Sequence, residues 1–406
     1  MAAREASDGR LRGGSAAQSA ADFLRSHRGA YAALAARRGE AGAEWGAECW
    51  QRHCGRLAAS AATLLAAQGQ GGGALEQASA WRSVARAAAP SVRAALGALP
   101  GGHTDALVVV LLELATAEEA AKARRTGGLP IRGVRVHARV LSQGSTPDVR
   151  RPPAAATVVA SSGRELPTAK DAAWASRRQP LEAARDAARA DEGLLTTPEG
   201  ELLEGLVSNL LVVRRREGCG PPDLASALEA LWQADSWVDA THRACGVLRW
   251  ALWRAAVLTG LRSEDDALEV ITAPADDVLP GVTRALALEA AVAEGLRVRE
   301  VAPSPADAGC WSEAALTSAL RVLQPLRSIS WSEWRGEPLT ARLDASVTPV
   351  VDRLRARVAA AMRNETVLLP RLEDDTLGSA ASAGEEELTE EGYVAVTKFE
   401  AEAGAR

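Results

Sequence analysis

Hydrophobic positions in the first third of the chain recur at helical spacing. Within residues 43–68 they fall three or four residues apart, so that one apolar stripe can face a core, at Trp50, Cys54, Leu57, Ala61 and Leu64. An alanine-rich pattern over 75–99 ends at Pro-Gly-Gly and predicts a second helix. Two β-rich runs follow, DALVVVLLEL from residue 105 and IRGVRVHARVL from residue 131. This part of the chain therefore has an α+β character.

The second half alternates strand-like and helix-like segments. Strands are predicted at ATVVASS from residue 156, at LEVITAP from residue 268 and at LRVREV from residue 296, with a helix over 180–190 between the first two. Residues 192–213 contain two β runs around a loop with Gly200, which is typical of a hairpin. Residues 276–295 read as a turn that enters an amphipathic helix closed by Gly295.

The length of 406 residues, of which 47% are hydrophobic, predicts two domains with separate cores. A polar, proline-rich stretch over 142–155 marks the boundary between them. The acidic, Gly- and Ser-containing end of the chain is typical of a solvated tail. The predicted parts are a flexible N-terminus (1–20), a smaller N-terminal α+β domain (21–145), a linker (146–155), a larger C-terminal domain (156–363) with a Trp-bearing helical insertion (214–264), and an acidic flexible tail (364–406).

Composition excludes several classes of partner. A net charge of −5 provides no general basic surface for nucleic acid, and no apolar run has the roughly 20 residues that a membrane helix needs. Five scattered cysteines, none spaced as CxxC, favour reduced thiols over a disulfide frame or a metal site. We expect a cytoplasmic protein, with a plastid or mitochondrial location as the alternative because residues 1–20 are rich in Ala, Ser and Arg.

Lysine is rare in this chain, with three lysines among the 47 basic residues, yet Lys170 is kept within PTAKDAAW. A primary amine forms a Schiff base with pyridoxal phosphate, whereas a guanidinium is always charged and a poor nucleophile. A glutamate such as Glu204 would keep the pyridine nitrogen protonated. An arginine such as Arg56 and the helix start at Pro280 would suit the phosphate.

These residues lie in motifs that resemble one enzyme family. His53-Cys54-Gly55-Arg56-Leu57 matches H-x-x-R-L, and Glu204 to Asn209 matches E-G-x-x-S-N. TAPADDVLPGVTR and WSEAALTSALR are similar to two later elements, and the order agrees over roughly residues 30–335. The chain thus resembles the class IV aminotransferase superfamily of fold-type IV pyridoxal-phosphate enzymes. AKDAAW, Arg178 and PLE are most similar to an uncharacterised plant-like branch of it.

The resemblance implies a two-domain α/β (α+β) fold of the D-amino acid aminotransferase type, a homodimer, pyridoxal 5'-phosphate as cofactor, and an amino acid and a 2-oxo acid as substrates. It implies that Lys170 is the catalytic residue. The cofactor-binding residues that it implies are Arg56, Lys170, Glu204, Ser208, Asn209, Val282, Thr283, Ser318 and Ala319. His137 and Arg139, alternate residues of one predicted strand, are candidates for the substrate carboxylate or are simply solvated.

Departures from the family pattern leave alternatives open. LELATAEEA stands where D-amino acid aminotransferases carry a carboxylate trap, Ala319 replaces a hydroxyl residue, and tyrosines are nearly absent near the expected pocket. The first hypothesis is amino-group transfer to a 2-oxo acid. The second is aminodeoxychorismate lyase chemistry that releases pyruvate. The third is a degenerate member that acts as an interaction module.

Overall fold

The computed structural model describes residues 3–12, 19–38, 44–142, 150–216 and 264–369. Six strands from the first part of the chain and one from residues 367–368 form an antiparallel sheet. They are β1 (Ala3–Ser7), β2 (Arg10–Arg12), β3 (Ala30–Arg38), β4 (Trp45–Ala47), β5 (Asp105–Leu114), β6 (Ile131–Val140) and β16 (Val367–Leu368). Their order in the sheet is β16-β4-β3-β5-β6-β1-β2.

Two long helices, α2 (Trp50–Ala67) and α3 (Ala80–Gly97), pack on one face of this sheet. The predicted stripe from Trp50 to Leu64 is buried there, which confirms the helical spacing found in the sequence. The opposite face carries Tyr31, Leu107 and Val109, and the short helix α1 (Ala20–Arg25) places Phe23 against it. Ala33 and Leu107 of this sheet line the cavity that contains Lys170.

Two features of this first part differ from the sequence predictions. Residues 3–12 form β1 and β2 rather than a flexible N-terminus, because β1 pairs with the outer edge of β6 and buries Ala3 and Ala6. A helix α4 (Ala117–Thr126) was not predicted. Its signal was the capping box in which Thr116 and Glu119 bond each other's backbone N–H groups.

The second part of the chain forms a nine-stranded sheet. The strands are β7 (Ala154–Ala160), β8 (Glu192–Thr196), β9 (Leu202–Gly205), β10 (Asn209–Arg215), β11 (Leu268–Thr272), β12 (Arg297–Glu300), β13 (Trp311–Ser318), β14 (Val322–Trp334) and β15 (Glu337–Arg342). Their order is β12-β11-β10-β13-β14-β7-β8-β9, and β15 pairs with β14. Because β9 also pairs with β10, through Glu204 and Asn209, the strands from β10 to β9 form a closed ring.

Helices cover this second sheet. The short helices α5 (Trp174–Arg177) and α6 (Gln179–Ala187) follow β7, whereas α7 (Val282–Ala293) and α8 (Pro349–Asn364) share a core with β10, β11 and β13. The predicted hairpin over 192–213 exists as β8 and β9, but the chain turns again at Leu206 and continues as β10. This second turn places Glu204 and Asn209 side by side.

Strand pairing passes from the first sheet to the second between Val140 and Ala154. The predicted insertion begins later than residue 214, because Arg214 and Arg215 still belong to β10, and residues 217–263 lie outside the described part. The tail predicted from residue 364 also begins later, because Val367 pairs with Ala47 and Leu369 is buried; residues 370–406 are likewise outside. No helix within the described ranges is long and apolar enough to span a bilayer.

Candidate active site

A cavity of about 300 Å³ lies where α2, β3 and β5 of the first sheet meet the loops of the second. This is the size of a small-molecule site. All nine residues implied by the resemblance line it, namely Arg56, Lys170, Glu204, Ser208, Asn209, Val282, Thr283, Ser318 and Ala319. They come from separate segments of the chain, so only folding brings them together.

Lys170 is positioned by hydrogen bonds from its backbone to the first sheet and its helices. Its N–H donates to the buried Ser60 hydroxyl of α2 at 3.1 Å, and its carbonyl accepts from the N–H of Tyr31 at 2.9 Å. Nζ of Lys170 lies 4.9 Å from the centre of the Tyr31 ring. The loop that carries Lys170 is therefore hydrogen-bonded to α2 and to β3 of the first sheet.

The pKa of Lys170 is well below its ordinary value. Burial is the main cause, and the neighbouring Arg56 and Arg164 guanidinium groups act in the same direction, while Glu204 opposes them. A lysine held in this way is a neutral amine over more of the pH range than a surface lysine. A neutral amine is what nucleophilic or general-base chemistry requires.

Replacing Lys170 with methionine is expected to stabilise the unloaded protein at neutral pH. Because the folded chain has the lower pKa, the unfolded chain binds more protons between the two pKa values, so the free energy of unfolding rises with pH up to the ordinary pKa of 10.5. Lys170→Met removes this dependence and should raise the free energy of unfolding near pH 7 by on the order of 1 kcal/mol or more.

Urea unfolding at several pH values from about 7 to about 10 measures this effect. Lys122→Met, at an exposed position of α4, is the matched control and should keep the pH dependence of the wild type. An unchanged pH slope in Lys170→Met would contradict the lowered pKa.

Glu204 is a buried carboxylate whose two oxygens have different partners. Its Oε2 accepts from the Leu279 N–H at 3.2 Å and from the Asn209 side-chain amide at 3.3 Å. Its Oε1 lies 2.8 Å from Nε of Arg164, but these two atoms do not meet hydrogen-bond geometry, so the contact is an ion pair. Burial raises the pKa of Glu204, and Arg164 opposes that change.

The N-terminus of α7 faces the same cavity. Gly281 is the N-cap, no side chain caps the helix, and its first turn has no acidic residue. A β-carbon at Gly281 would come within 2.1 Å of Oδ1 of Asn209, so glycine permits this close approach. The N–H groups at Val282 and Thr283 and the helix dipole favour an anion here.

Arg56 lies on α2, on the other side of the cavity, and is 7% exposed. Its Nη2 donates to Nδ1 of His53, one turn earlier, at 3.2 Å. Burial and the charges of Arg56 and Lys170 hold the pKa of His53 well below its usual range, so His53 is neutral and can accept this bond. His53 thus orients the guanidinium.

The structure does not bring every predicted residue to the cavity. His137 and Arg139 are not among its lining residues, and His137 is fully buried with its ring stacked on Phe23 at 5.4 Å. The prediction that these two residues meet the substrate carboxylate is therefore not supported, because α1 covers this part of the strand face.

Four residues in or beside the cavity were missed at the level of sequence. Tyr31 is one of two tyrosines in the chain and lies against Lys170, although tyrosines were expected to be nearly absent there. The other three, Arg164, Arg151 and Arg321, line the cavity. Arg321 is the last residue of the matched segment WSEAALTSALR, so the sequence placed it next to the expected site. The sequence did not show that its side chain lines the cavity.

The His, Cys, Asp and Glu side chains are scattered in the part of the chain that the structure describes. No group of three or more His, Cys, Asp or Glu side chains there is arranged to hold an ion. Cys49, Cys54 and Cys310 are free thiols.

The comparisons with known proteins agree with the fold. Residues 265–329 match the model of the family described as amino-transferase class IV, and this segment contains Val282, Thr283, Ser318 and Ala319. None of the curated proteins matches the chain in sequence.

Solved structures of aminotransferases share the architecture. A branched-chain aminotransferase from Thermoproteus uzoniensis with norvaline has a TM-score of 0.54 and 15% identity, over 90% of this chain and 99% of that one. The branched-chain amino acid aminotransferase from Thermobaculum terrenum in its PLP form also has a TM-score of 0.54 and 15% identity, over 89% and 94%. An aminotransferase from Brucella abortus bound to the cofactor PLP has a TM-score of 0.51 and 17% identity, over 89% and 100%. The predicted class IV aminotransferase resemblance and fold are thereby confirmed, whereas the plant-like branch stays a prediction.

Proposed function

We propose that this chain binds pyridoxal 5'-phosphate in the cavity around Lys170 and transfers an amino group between an amino acid and a 2-oxo acid. One observation carries the proposal. In a fold of the class IV aminotransferase type, an amine of lowered pKa, a buried carboxylate, a buried arginine and an uncapped helix N-terminus line a single cavity.

The donor set suits the chemical groups of this cofactor. Arg56 and the start of α7 provide a charge-assisted donor and a helix N-terminus for a phosphate. Glu204 provides a carboxylate for a protonated ring nitrogen. When bound, pyridoxal phosphate supplies the electron sink for breaking a bond at the substrate α-carbon.

The residues of the chain would act on protons and orientation. The Lys170 amine, with its lowered pKa, would take a proton from the α-carbon of the amino acid and, in the reverse direction, would return a proton to the α-carbon of the 2-oxo acid. Asn209 and Leu279 would keep the Glu204 carboxylate in place, and His53 would keep Arg56 aimed at the phosphate. Ala319 offers no hydroxyl, so its own contribution to that phosphate site would be its backbone N–H.

Arg56→Gln is expected to weaken pyridoxal-phosphate binding by about 10- to 100-fold, because each charge-assisted hydrogen bond to a phosphate contributes about 1.5–3 kcal/mol. Equilibrium dialysis with pyridoxal phosphate measures this dissociation constant, and inorganic phosphate is the second probe. Arg177→Gln, at an exposed arginine of α5, is the control and should bind as the wild type does. Equal dissociation constants for the Arg56 variant and the control would remove Arg56 from the phosphate site.

The cofactor is tested by the visible absorption of the purified protein, before and after borohydride. With three lysines in the chain, peptide mass analysis assigns a stable pyridoxyl label to one position, and we expect Lys170. A colourless protein that takes up no added pyridoxal phosphate would refute the proposal. It would favour the third hypothesis, a degenerate family member that acts as an interaction module.

Lyase chemistry on aminodeoxychorismate is the alternative that uses the same lysine. The four arginines that line the cavity favour this alternative, because aminodeoxychorismate carries two carboxylates. Release of pyruvate without any amino acceptor would separate it from amino-group transfer.

The homodimer implied by the resemblance belongs to the proposal as well, and sedimentation equilibrium of the loaded protein would give the molecular mass that decides it.

A further inference from the structure

Helix α2 carries a polar stripe on the side that is not buried against the first sheet. Arg52, Arg56 and Ser60 are spaced four residues apart, so their side chains lie one above another along the helix. Arg56 lines the cavity, and the Ser60 hydroxyl accepts the N–H of Lys170. Arg52 begins the stripe and lies outside the described lining of the cavity.

Arg52 joins α2 to two helices of the second part of the chain. Its Nη1 and Nη2 donate to Oε1 and Oε2 of Glu289 at 2.7 and 3.1 Å, so the guanidinium holds this carboxylate with both prongs of its fork. Its Nε donates to the two oxygens of Glu365 at 3.1 and 2.8 Å. Glu289 lies on α7, and Glu365 is the C-cap of α8. These three side chains form a clamp between the helices.

The clamp has a defined geometry although it is partly exposed. The side chains of Arg52, Glu289 and Glu365 are 32%, 50% and 35% exposed. A single ion pair at such exposure contributes little to stability. A bidentate arginine that joins two carboxylates nevertheless has a fixed direction, because its donors form a rigid planar fork. The clamp therefore contributes more to the placement of α2 than to the overall stability.

The backbone at the start of α2 is attached to the same place. Cys49, the N-cap of α2, has a φ of +50°, and its side chain belongs to the hydrophobic core that α7 and α8 share. Its N–H donates to the carbonyl of Glu365 at 3.2 Å. A residue with a side chain rarely adopts a positive φ, so the surrounding packing holds this conformation. The first turn of α2 is thus fixed to the end of α8 by both backbone and side chain.

The clamp connects the two helices that carry the two halves of the proposed phosphate site. Arg56 is one turn after Arg52 on α2, and Val282, at the uncapped start of α7, is about two turns before Glu289. Seven residues bring Glu289 back to the side of α7 on which Val282 lies. Because a helix is stiff over one or two turns, the contact between Arg52 and Glu289 limits how far Arg56 can move from the start of α7.

We propose that Arg52 is a positioning residue for the phosphate site: through the clamp it sets the distance between Arg56 and the N-terminus of α7. The inference rests on the proposed function for the identity of the phosphate ligand. A charge-assisted hydrogen bond from Arg56 needs a narrow range of distance and angle, so a small displacement of α2 weakens it. Arg52 acts through Arg56 and does not touch the phosphate.

Equilibrium dialysis with pyridoxal phosphate, and separately with inorganic phosphate, tests the clamp from both of its ends. Arg52→Gln and Glu289→Gln each break the fork, and each should raise both dissociation constants by about 3- to 10-fold. The double variant should bind no more weakly than Arg52→Gln, because the same contact is lost only once. Arg357→Gln is the matched control and should bind as the wild type does, because its ion pair with Glu294 joins α8 to the end of α7 and not to α2.

A second background separates positioning from a general loss of structure. If Arg52 acts through Arg56, then Arg52→Gln should change either dissociation constant by less than about twofold when Arg56→Gln is already present. Glu289 is half exposed, so Glu289→Gln should keep the fold and serves as the variant that does not depend on the stability of Arg52→Gln. Denaturant unfolding of each preparation checks that the folded state is populated during dialysis.

The outcomes separate the clamp from the proposed function. Unchanged dissociation constants in both Arg52→Gln and Glu289→Gln would overturn the positioning role and leave the cofactor proposal standing. An equal loss of affinity with and without Arg56→Gln would also overturn it, because the effect would not pass through Arg56. A wild type that takes up no pyridoxal phosphate refutes the proposed function, whereas weaker binding of inorganic phosphate by the same two variants would still support the clamp. A wild type that binds neither ligand overturns both.

Discussion

Lys170→Ala is expected to lose turnover of amino acids with 2-oxo acids by about 1000-fold or more, because the variant has no amine at the position where the proton must be moved. The loss should not come from unfolding, since removal of a buried amine of lowered pKa relieves a cost in the folded state. Alanine is preferable to arginine here. A guanidinium cannot lose its charge, and Arg56, Arg164 and Arg178 already surround this position.

Initial rates with a panel of amino acids and 2-oxoglutarate measure the loss, and Lys122→Ala is the matched control on the exposed side of α4. Added ethylamine should restore part of the activity of Lys170→Ala and none of the other variants, because a small amine fits the space that the side chain leaves. A purified Lys170→Ala protein that turns over at the wild-type rate would exclude Lys170 as the catalytic residue.

Glu204→Gln is expected to reduce both stability and activity. The side chains of Arg164 and Glu204 are 7% and 2% exposed, and removing one partner of a buried ion pair costs about 3–5 kcal/mol. We expect about 3 kcal/mol, because the 2.8 Å contact is not an aligned hydrogen bond and because glutamine still offers an oxygen to the N–H of Leu279. Activity should fall by about 100-fold or more, since a neutral amide does not keep the ring nitrogen protonated.

A double variant separates the two effects. Arg164→Met together with Glu204→Gln removes both charges, so most of the lost free energy of unfolding should return, whereas the activity should remain low. Denaturant unfolding and turnover of the same preparations give both quantities. Equal stabilities of Glu204→Gln and the double variant would show that Arg164 is not the group left uncompensated. Recovery of activity in the double variant would contradict the assigned contact of Glu204 with the cofactor.

Several parts of the fold were accessible from the sequence because their signals are local. The stripe from Trp50 to Leu64 repeats with the period of a helix, and the runs from Asp105 and Ile131 have the composition of strands. Gly295 has a φ of +77° and follows the end of α7 by two residues, in agreement with the prediction that this glycine closes the helix. Each of these features depends on residues a few positions apart, so a short window of sequence contains the cause.

Other parts depended on pairing between distant segments. Residues 3–12 carry charge and glycine and gave no clear strand signal, yet β1 forms because the edge of β6 offers it a partner. The face that holds His137 and Arg139 was predicted as one side of a strand, but the sequence did not show that Phe23 of α1 would cover His137. Coverage of a sheet face is decided by packing between elements.

For the site itself, the sequence alone determined which residue types stand in which short motifs, and all nine residues that these motifs identified line the cavity. Only the tertiary structure decided what surrounds them. The Tyr31 ring against Lys170, Arg164 against Glu204, and Arg321 fixed by Glu192 are contacts between segments that meet through sheet pairing and loop docking. Such contacts set the pKa of the lysine and the charge of the cavity, and no local pattern encodes them, because electrostatic and burial effects depend on distance in space rather than along the chain.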